Sequence, residues 1–476
     1  MVLEYLVGLG YDYEDANEII KNYVFSKITS ERMIINIKRN YQLLIEYGYT
    51  HDDIKRMTIK YPQLYSFSVE KIEKKINDLE EMGYSKQEII HMTRKAPILY
   101  GITFENIMKK NTELMKLGYT YEDIMKMTRV IPSLYSLSIE IIKYKIGVLM
   151  GLGYSYDDVK KMTKNTPTIF CISDENIKEK FNNIMGIGYN YGETLKITCK
   201  LPALYTNSLE VFREKIDNLI ALGYTHQELI KMTKNNPTIY ILTIENIRQK
   251  INNLISLGYT YNEVLKLSKG FPAIYNYTFE TIKEKIDNFI SLGYSRLDVV
   301  KMTLKMVTLF GLSIENIKKK INDLISLGYT QEEVIVMTRS LPMLFSYTIE
   351  NIKNKINDIM MMGYSYEEVL IITKGLPSLF GYTIENIKEK IDFYRECKLD
   401  NIILDDTKQL MQSMELSYAR YMFYMERGII IECNNYHLLF IAQNRFEKLY
   451  GITKKELLEK YGYSCEKVKK RMVVRV

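Results

Sequence analysis

The dipeptide Gly-Tyr recurs along this chain at a fixed interval. Gly48, Gly83, Gly118, Gly153, Gly188, Gly223, Gly258, Gly293, Gly328 and Gly363 each open a unit of 35 residues, with no insertion between units. A period of this length marks stacked helical hairpins, because one short unit cannot bury its own apolar face and must lean on its neighbours. Positions below are counted from each Gly as position 1, and repeat 1 starts at Gly48. The array also accounts for a chain of 476 residues, too long for one ordinary hydrophobic core.

Local signals place two helices in each unit. Position 3 is Ser or Thr, with Asn190 the exception, and position 6 is always acidic, as in Thr50 with Asp53 and Ser365 with Glu368. This capping box starts helix A. Apolar positions 7, 10 and 14 follow at helical spacing. All nine prolines of the chain, Pro62 to Pro377, stand at position 15, where Val307 replaces proline in repeat 8. Proline lacks an N–H and drives the preceding residue out of the α region, so helix A ends there. The segment Pro-x-Leu/Ile-Tyr/Phe then makes a short turn. Helix B starts at position 21, always Ser or Thr, with Glu at position 23 favoured by the helix dipole. Its buried stripe is positions 22, 25, 29 and 32, and the next Gly is its stop.

The expected fold class is all-α, a right- or left-handed α-solenoid (superhelix) of ten 35-residue helical repeats with helical caps. Residues 1–47 read as a degenerate N-terminal capping repeat, opened by Gly10-Tyr11 and without proline. Residues 48–397 are the ten repeats. After Cys397 the period fails, and 398–476 read as a helical C-terminal cap with a capping box at Thr453 and Glu456 and a basic tail around Lys469, Lys470 and Arg471.

Several function classes are excluded on composition and motif. No apolar run reaches the length of a membrane span. The N-terminus has no basic leader-like segment and is acidic at Asp12, Glu14, Asp15 and Glu18, so a cytoplasmic protein is expected, or an organellar or nuclear one in a eukaryote. The five cysteines show no CxxC spacing, which points to a reducing compartment without disulfides or a zinc site. There is no phosphate loop, HExxH, GxSxG or EF-hand, and the four histidines are dispersed. The expectation is a non-enzymatic monomer with no cofactor and no metal.

The features that can carry binding are periodic. Position 28 is Lys in every repeat: Lys75, Lys110, Lys145, Lys180, Lys215, Lys250, Lys285, Lys320, Lys355 and Lys390. Stacking would space these about 8–10 Å apart, which suits a phosphate backbone. The same pattern also fits a solvated face, or ion pairs with acids of a neighbouring repeat. One turn earlier, position 24 is Asn106, Asn176, Asn246, Asn316, Asn351 and Asn386. With the helix B N-terminus this makes a repeated anion site, or merely assists capping. Position 26 is basic in eight repeats. Lysines and arginines at positions 8, 9 and 12 are read mainly as complementing the helix A dipole. Positions 13, 16 and 19 vary between repeats.

The unit [L/I]-G-Y-[ST]-x-x-[DE]-[VI]-x-K-M-[TI]-[KR]-x-x-P-x-[LI]-[YF]-x-x-[ST]-[IF]-E-N-I-K-x-K-I-x-x-L resembles the repeat of the mitochondrial transcription termination factor (mTERF) family. The likeness covers 48–397, and Leu416-Ser417-Tyr418-Ala419-Arg420-Tyr421 looks like that family's closing helix. The resemblance implies a basic groove for double-stranded DNA, more than RNA, and a role in transcription regulation or termination. It implies contacts from positions 16, 24 and 28, and matches Arg420 to a family arginine. The regularity is also similar to modular DNA readers of the TAL-effector type, which lack the proline. The alternative outside nucleic acids is a protein-interaction scaffold.

Overall fold

A computed structural model describes residues 1–22, 30–399 and 402–462, among which there are 27 α-helices and no strand. The basic tail and Cys465 lie outside the described residues. The chain divides into two compact units, Met1–Ile244 and Glu245–Val476.

Both units are built from one design. In repeat 3, helix A is Tyr121–Val130, a 3-10 turn follows at Pro132–Tyr135, and helix B is Ile139–Gly151. Thr120 accepts from the Asp123 N–H while the Asp123 carboxylate accepts from the Thr120 N–H, which is the reciprocal box expected. Asn190, the exception in sequence, closes the same box with Glu193. Position 14 turns the backbone out of the helix, at φ −126° and ψ 82° for Ile131. Met306, which precedes Val307 rather than proline, takes nearly the same angles, φ −131° and ψ 84°. Neighbours hold that bend, and proline only favours it. Each opening Gly sits at positive φ, from 81° to 121°, where a side chain would be strained.

Within each unit, helix A packs on the next helix A and helix B on the next helix B. The 3-10 segments stack between these layers in repeats 1 to 3. A recurring polar relay runs through the apolar core. The Tyr at position 2 reaches into the following repeat and meets the hydroxyls of positions 11 and 18. Tyr49 bonds Thr93 at 2.7 Å and Tyr100 at 2.8 Å, and Tyr84 bonds Thr128 at 2.6 Å and Tyr135 at 2.9 Å. Where position 18 is Phe170, Tyr119 bonds only Thr163, at 2.7 Å. Each threonine also donates to its own helix, as Thr93 does to the Ile89 carbonyl. These buried hydroxyls are satisfied across the junction, so they enforce one stacking register. Burial pushes the Tyr119 phenol up to about 12 and the Tyr329 phenol up to about 12.

Both ends reuse the design. Gly10 has φ 86°, and the Tyr11 hydroxyl bonds Thr58 and Tyr65, so 1–47 join repeat 1 by the same relay. After Cys397 the period shortens and the plan continues. Lys398 takes the opening glycine's place at φ 57°, helix A shrinks to Ile402–Asp405, and a 3-10 turn, Thr407–Met411, leads into helix B, Met414–Glu426. Gly428, at φ 72°, closes it.

Candidate nucleic-acid interface

The position-28 lysines point along the array into the next repeat. Lys180 donates to the Asn207 carbonyl at 2.9 Å, Lys250 to Tyr277 at 2.6 Å, Lys285 to Leu312 at 2.9 Å and Lys355 to Tyr382 at 2.6 Å. Lys110 and Lys320 reach Leu137 and Tyr347 in the same way, and Lys390 reaches the Leu410 carbonyl at 2.5 Å. Each acceptor except Leu410 is position 20, the last carbonyl before helix B. Lys145 turns instead to Asp174, an acid at a position that is otherwise apolar. Lys75 is 5% exposed and lies 3.7 Å from Asp78, and Lys215 is buried. Desolvation lowers the pKa of Lys75, Lys110, Lys180, Lys250, Lys320 and Lys390.

The row of Lys75, Lys110, Lys145, Lys180, Lys215, Lys250, Lys285, Lys320, Lys355 and Lys390, open in sequence to phosphate contact or to ties with a neighbouring repeat, is packed into the array. These side chains are buried or half-buried, and Lys110, Lys145, Lys180, Lys250, Lys285, Lys320, Lys355 and Lys390 bridge neighbouring units. The two ends bear this out with different chemistry. One period before Lys75, Asn40 donates to the Phe67 carbonyl at 2.8 Å. In the shortened last unit the place belongs to Arg420, which is 1% exposed and donates to the Leu439 carbonyl at 2.8 Å and to Gln443. Arg420 is thus a buried bridge from helix B to the segment that follows it.

The asparagines at position 24, Asn106, Asn176, Asn246, Asn316, Asn351 and Asn386, have exposed side chains at the helix B N-terminus. The backbone N–H of Asn106, Asn176, Asn316, Asn351 and Asn386 is taken by the N-cap hydroxyl, as Asn106 shows with Thr103 at 3.2 Å. In repeats 1, 3 and 5 the acid at position 23 accepts from its own backbone N–H. Hydrogen bonds from its own backbone and from the N-cap serine hold the carboxyls of Glu70, Glu140 and Glu210 below their ordinary value. An incoming phosphate would compete there with the protein's own carboxylate.

Helix A carries a different charge pattern. Position 12 pairs with the position-6 acid of the preceding repeat: Arg94 with Asp53 at 2.9 Å, Arg129 with Glu88 at 2.6 Å, Lys164 with Asp123 at 2.5 Å and Lys374 with Glu333 at 2.7 Å. These cations are inter-repeat ties and more than dipole partners. At position 13, Lys95, Lys200 and Lys305 cap the next helix A, as Lys305 does at the Ser340 carbonyl, 3.0 Å away. Position 9 is left outward. Arg56, Lys161, Lys196 and Lys231 in the first unit, and Lys266 and Lys301 in the second, are exposed and hold no ion pair. Lys126 pairs within its own helix with Glu122 at 2.7 Å.

This row was legible in sequence by what surrounds it. In all ten copies, positions 8–20 contain no Asp or Glu, and positions 9, 12, 13, 16 and 19 contain no Phe or Tyr. Acids are confined to the first turn of helix A and to helix B. The C-terminal halves of helix A and the turns after them thus form an acid-free, cationic strip in each unit.

Among the described residues, no helix is long and apolar enough to cross a membrane, and no cluster of His, Cys, Asp and Glu could hold a metal ion. No curated protein matches the chain. The mTERF family model matches repeatedly, at residues 2–151, 141–257, 197–292 and 280–447. That family comprises nucleic-acid-binding helical-repeat proteins and is not known for enzymatic activity. With helical repeats built as described and matches running over nearly the whole length, the chain belongs to the mTERF family.

Proposed function

We propose that this chain binds duplex DNA without catalysis, lays it against the position-9 row of helix A, and regulates transcription, termination included. The observation that carries the reading is the acid-free strip. Exposed cations stand there in six of the ten repeats with no carboxylate to compete for them, which suits a polyanion contacted through its backbone. The absence of Phe and Tyr from positions 9, 12, 13, 16 and 19 favours a duplex over a single strand, whose bases need stacking platforms. The position-28 lysines act at one remove, by fixing the spacing of the units that present the row. The position-24 asparagines add polar contacts at the helix B edge.

Binding to a random-sequence duplex, followed across a salt series, tests this. Contact with about six phosphates gives a log–log salt slope of about −5. Reversing Lys161, Lys196 and Lys231 to Glu removes about three of those contacts and flattens the slope by about 2.7. An unchanged slope would take the row out of the interface, and tighter binding to single-stranded RNA would overturn the duplex. No binding to either leaves a protein scaffold. Transcription across a bound site reads the regulatory part: a shortened transcript supports termination, and full-length product at saturation counts against it.

A further inference from the structure

One step of the strip differs from the rest. Between helix A of repeat 1, His51–Lys60, and helix A of repeat 2, Lys86–Lys95, lies a cleft of about 180 Å³ walled by Asp53, Arg56, Lys60, His91, Arg94 and Lys95. Its one carboxylate is already used on both oxygens. One Asp53 oxygen takes the Arg94 Nε at 2.9 Å and the other takes the Thr50 N–H at 3.1 Å. That contact also fixes the Arg94 guanidinium at the cleft wall. Lys95 is partly used, donating to the Val130 carbonyl at 3.3 Å. Arg56 and Lys60 are exposed and hold no ion pair. Arg56 is the one arginine among the ten residues at position 9, so only here does a second guanidinium face the position-12 cation.

We infer that this cleft is a phosphomonoester site. Two guanidinium forks can each engage two oxygens of one group. The cationic excess around a neutralised carboxylate suits a dianion better than the single charge of a phosphodiester. Resting on the nucleic-acid reading above, the occupant is the terminal phosphate of a strand, held where the array begins, with the rest of the duplex running along the position-9 row. Free phosphate carries the same chemistry and is the other source.

The chain supplies its own fold-compatible variants, since repeat 9 holds Val336 and Ser340 at the positions of Arg56 and Lys60. The test uses the full chain, a duplex with 5′-phosphate ends and the same duplex with 5′-hydroxyl ends. Wild type is expected to bind the phosphorylated ends about fivefold tighter. Arg56→Val with Lys60→Ser should erase that preference. Lys301→Val with Lys305→Ser, which removes the same charge from the second unit, should weaken both duplexes alike and keep the preference. Equal affinity for both ends, with DNA binding intact, overturns the strand end as occupant and leaves the proposed function standing. Titration of inorganic phosphate alone separates the sources. Saturable binding to wild type that is lost in the Arg56 and Lys60 variant supports the cleft even if no duplex binds. Absence of such binding together with indifference to the duplex ends refutes it.

Discussion

Asn111 stands where every other repeat has Ile or Phe, and both polar atoms of its amide are buried without a hydrogen-bond partner. A buried, unpaired amide costs about 1–3 kcal/mol. Asn111→Ile should therefore raise the unfolding free energy measured by urea titration by an amount in that range. The tyrosine relay gives a paired comparison at the same scale. Tyr154→Phe strands the Tyr205 hydroxyl as well as its bond to Thr198, whereas Tyr119→Phe affects Thr163 alone, because Phe170 faces it. The first should cost about 1–2 kcal/mol and the second less. Equal losses in denaturant titrations would show that the phenol pair adds nothing.

The elements were the most legible part of the sequence. Caps, proline stops and opening glycines are local chemistry, so Thr120 with Asp123, and even Asn190 with Glu193, could be read directly. The lysines could not. A residue's period shows that it does the same job in each unit, but whether position 28 faces solvent or the last carbonyl before the next unit's helix B is set by packing. The continuation past Cys397 was hidden for a related reason, since Lys398 supplies the left-handed turn without the glycine that would announce it. Two substitutions separate bridge from interface. Lys250→Glu sets a carboxylate against the Tyr277 carbonyl and should cost about 2–4 kcal/mol. Lys266→Glu, on the open row, should change stability by no more than about 0.5 kcal/mol. Val307→Pro fits a bend that Met306 already makes, and should add about 0.4–1 kcal/mol by restricting the unfolded chain.

At the scale of the molecule, the relay ties stability to alkaline pH. The buried phenols have folded pKa values above the ordinary 10.0, as in Tyr119, Tyr154, Tyr294 and Tyr329, each pushed up to about 12 by burial. A phenol that ionises more readily unfolded than folded stabilises fully below pH 10. That contribution is lost as pH climbs from 10 through 12. Helical circular dichroism should hold up to about pH 10 and then collapse steeply, because many phenols titrate together. A gradual loss beginning near neutrality would point to other groups.

The hydroxyl relay also bears on how such a chain can change size. Between the 35-residue repeats, its tyrosine bonds span 44 or 51 residues, from one unit to the next and no further. Excising Gly153 to Ile187 would therefore hand Tyr119 the partners Thr198 and Tyr205 in place of Thr163 and Phe170, and the cut would heal chemically. Length becomes a quantity this protein can gain or shed in whole modules, without redesign of any joint.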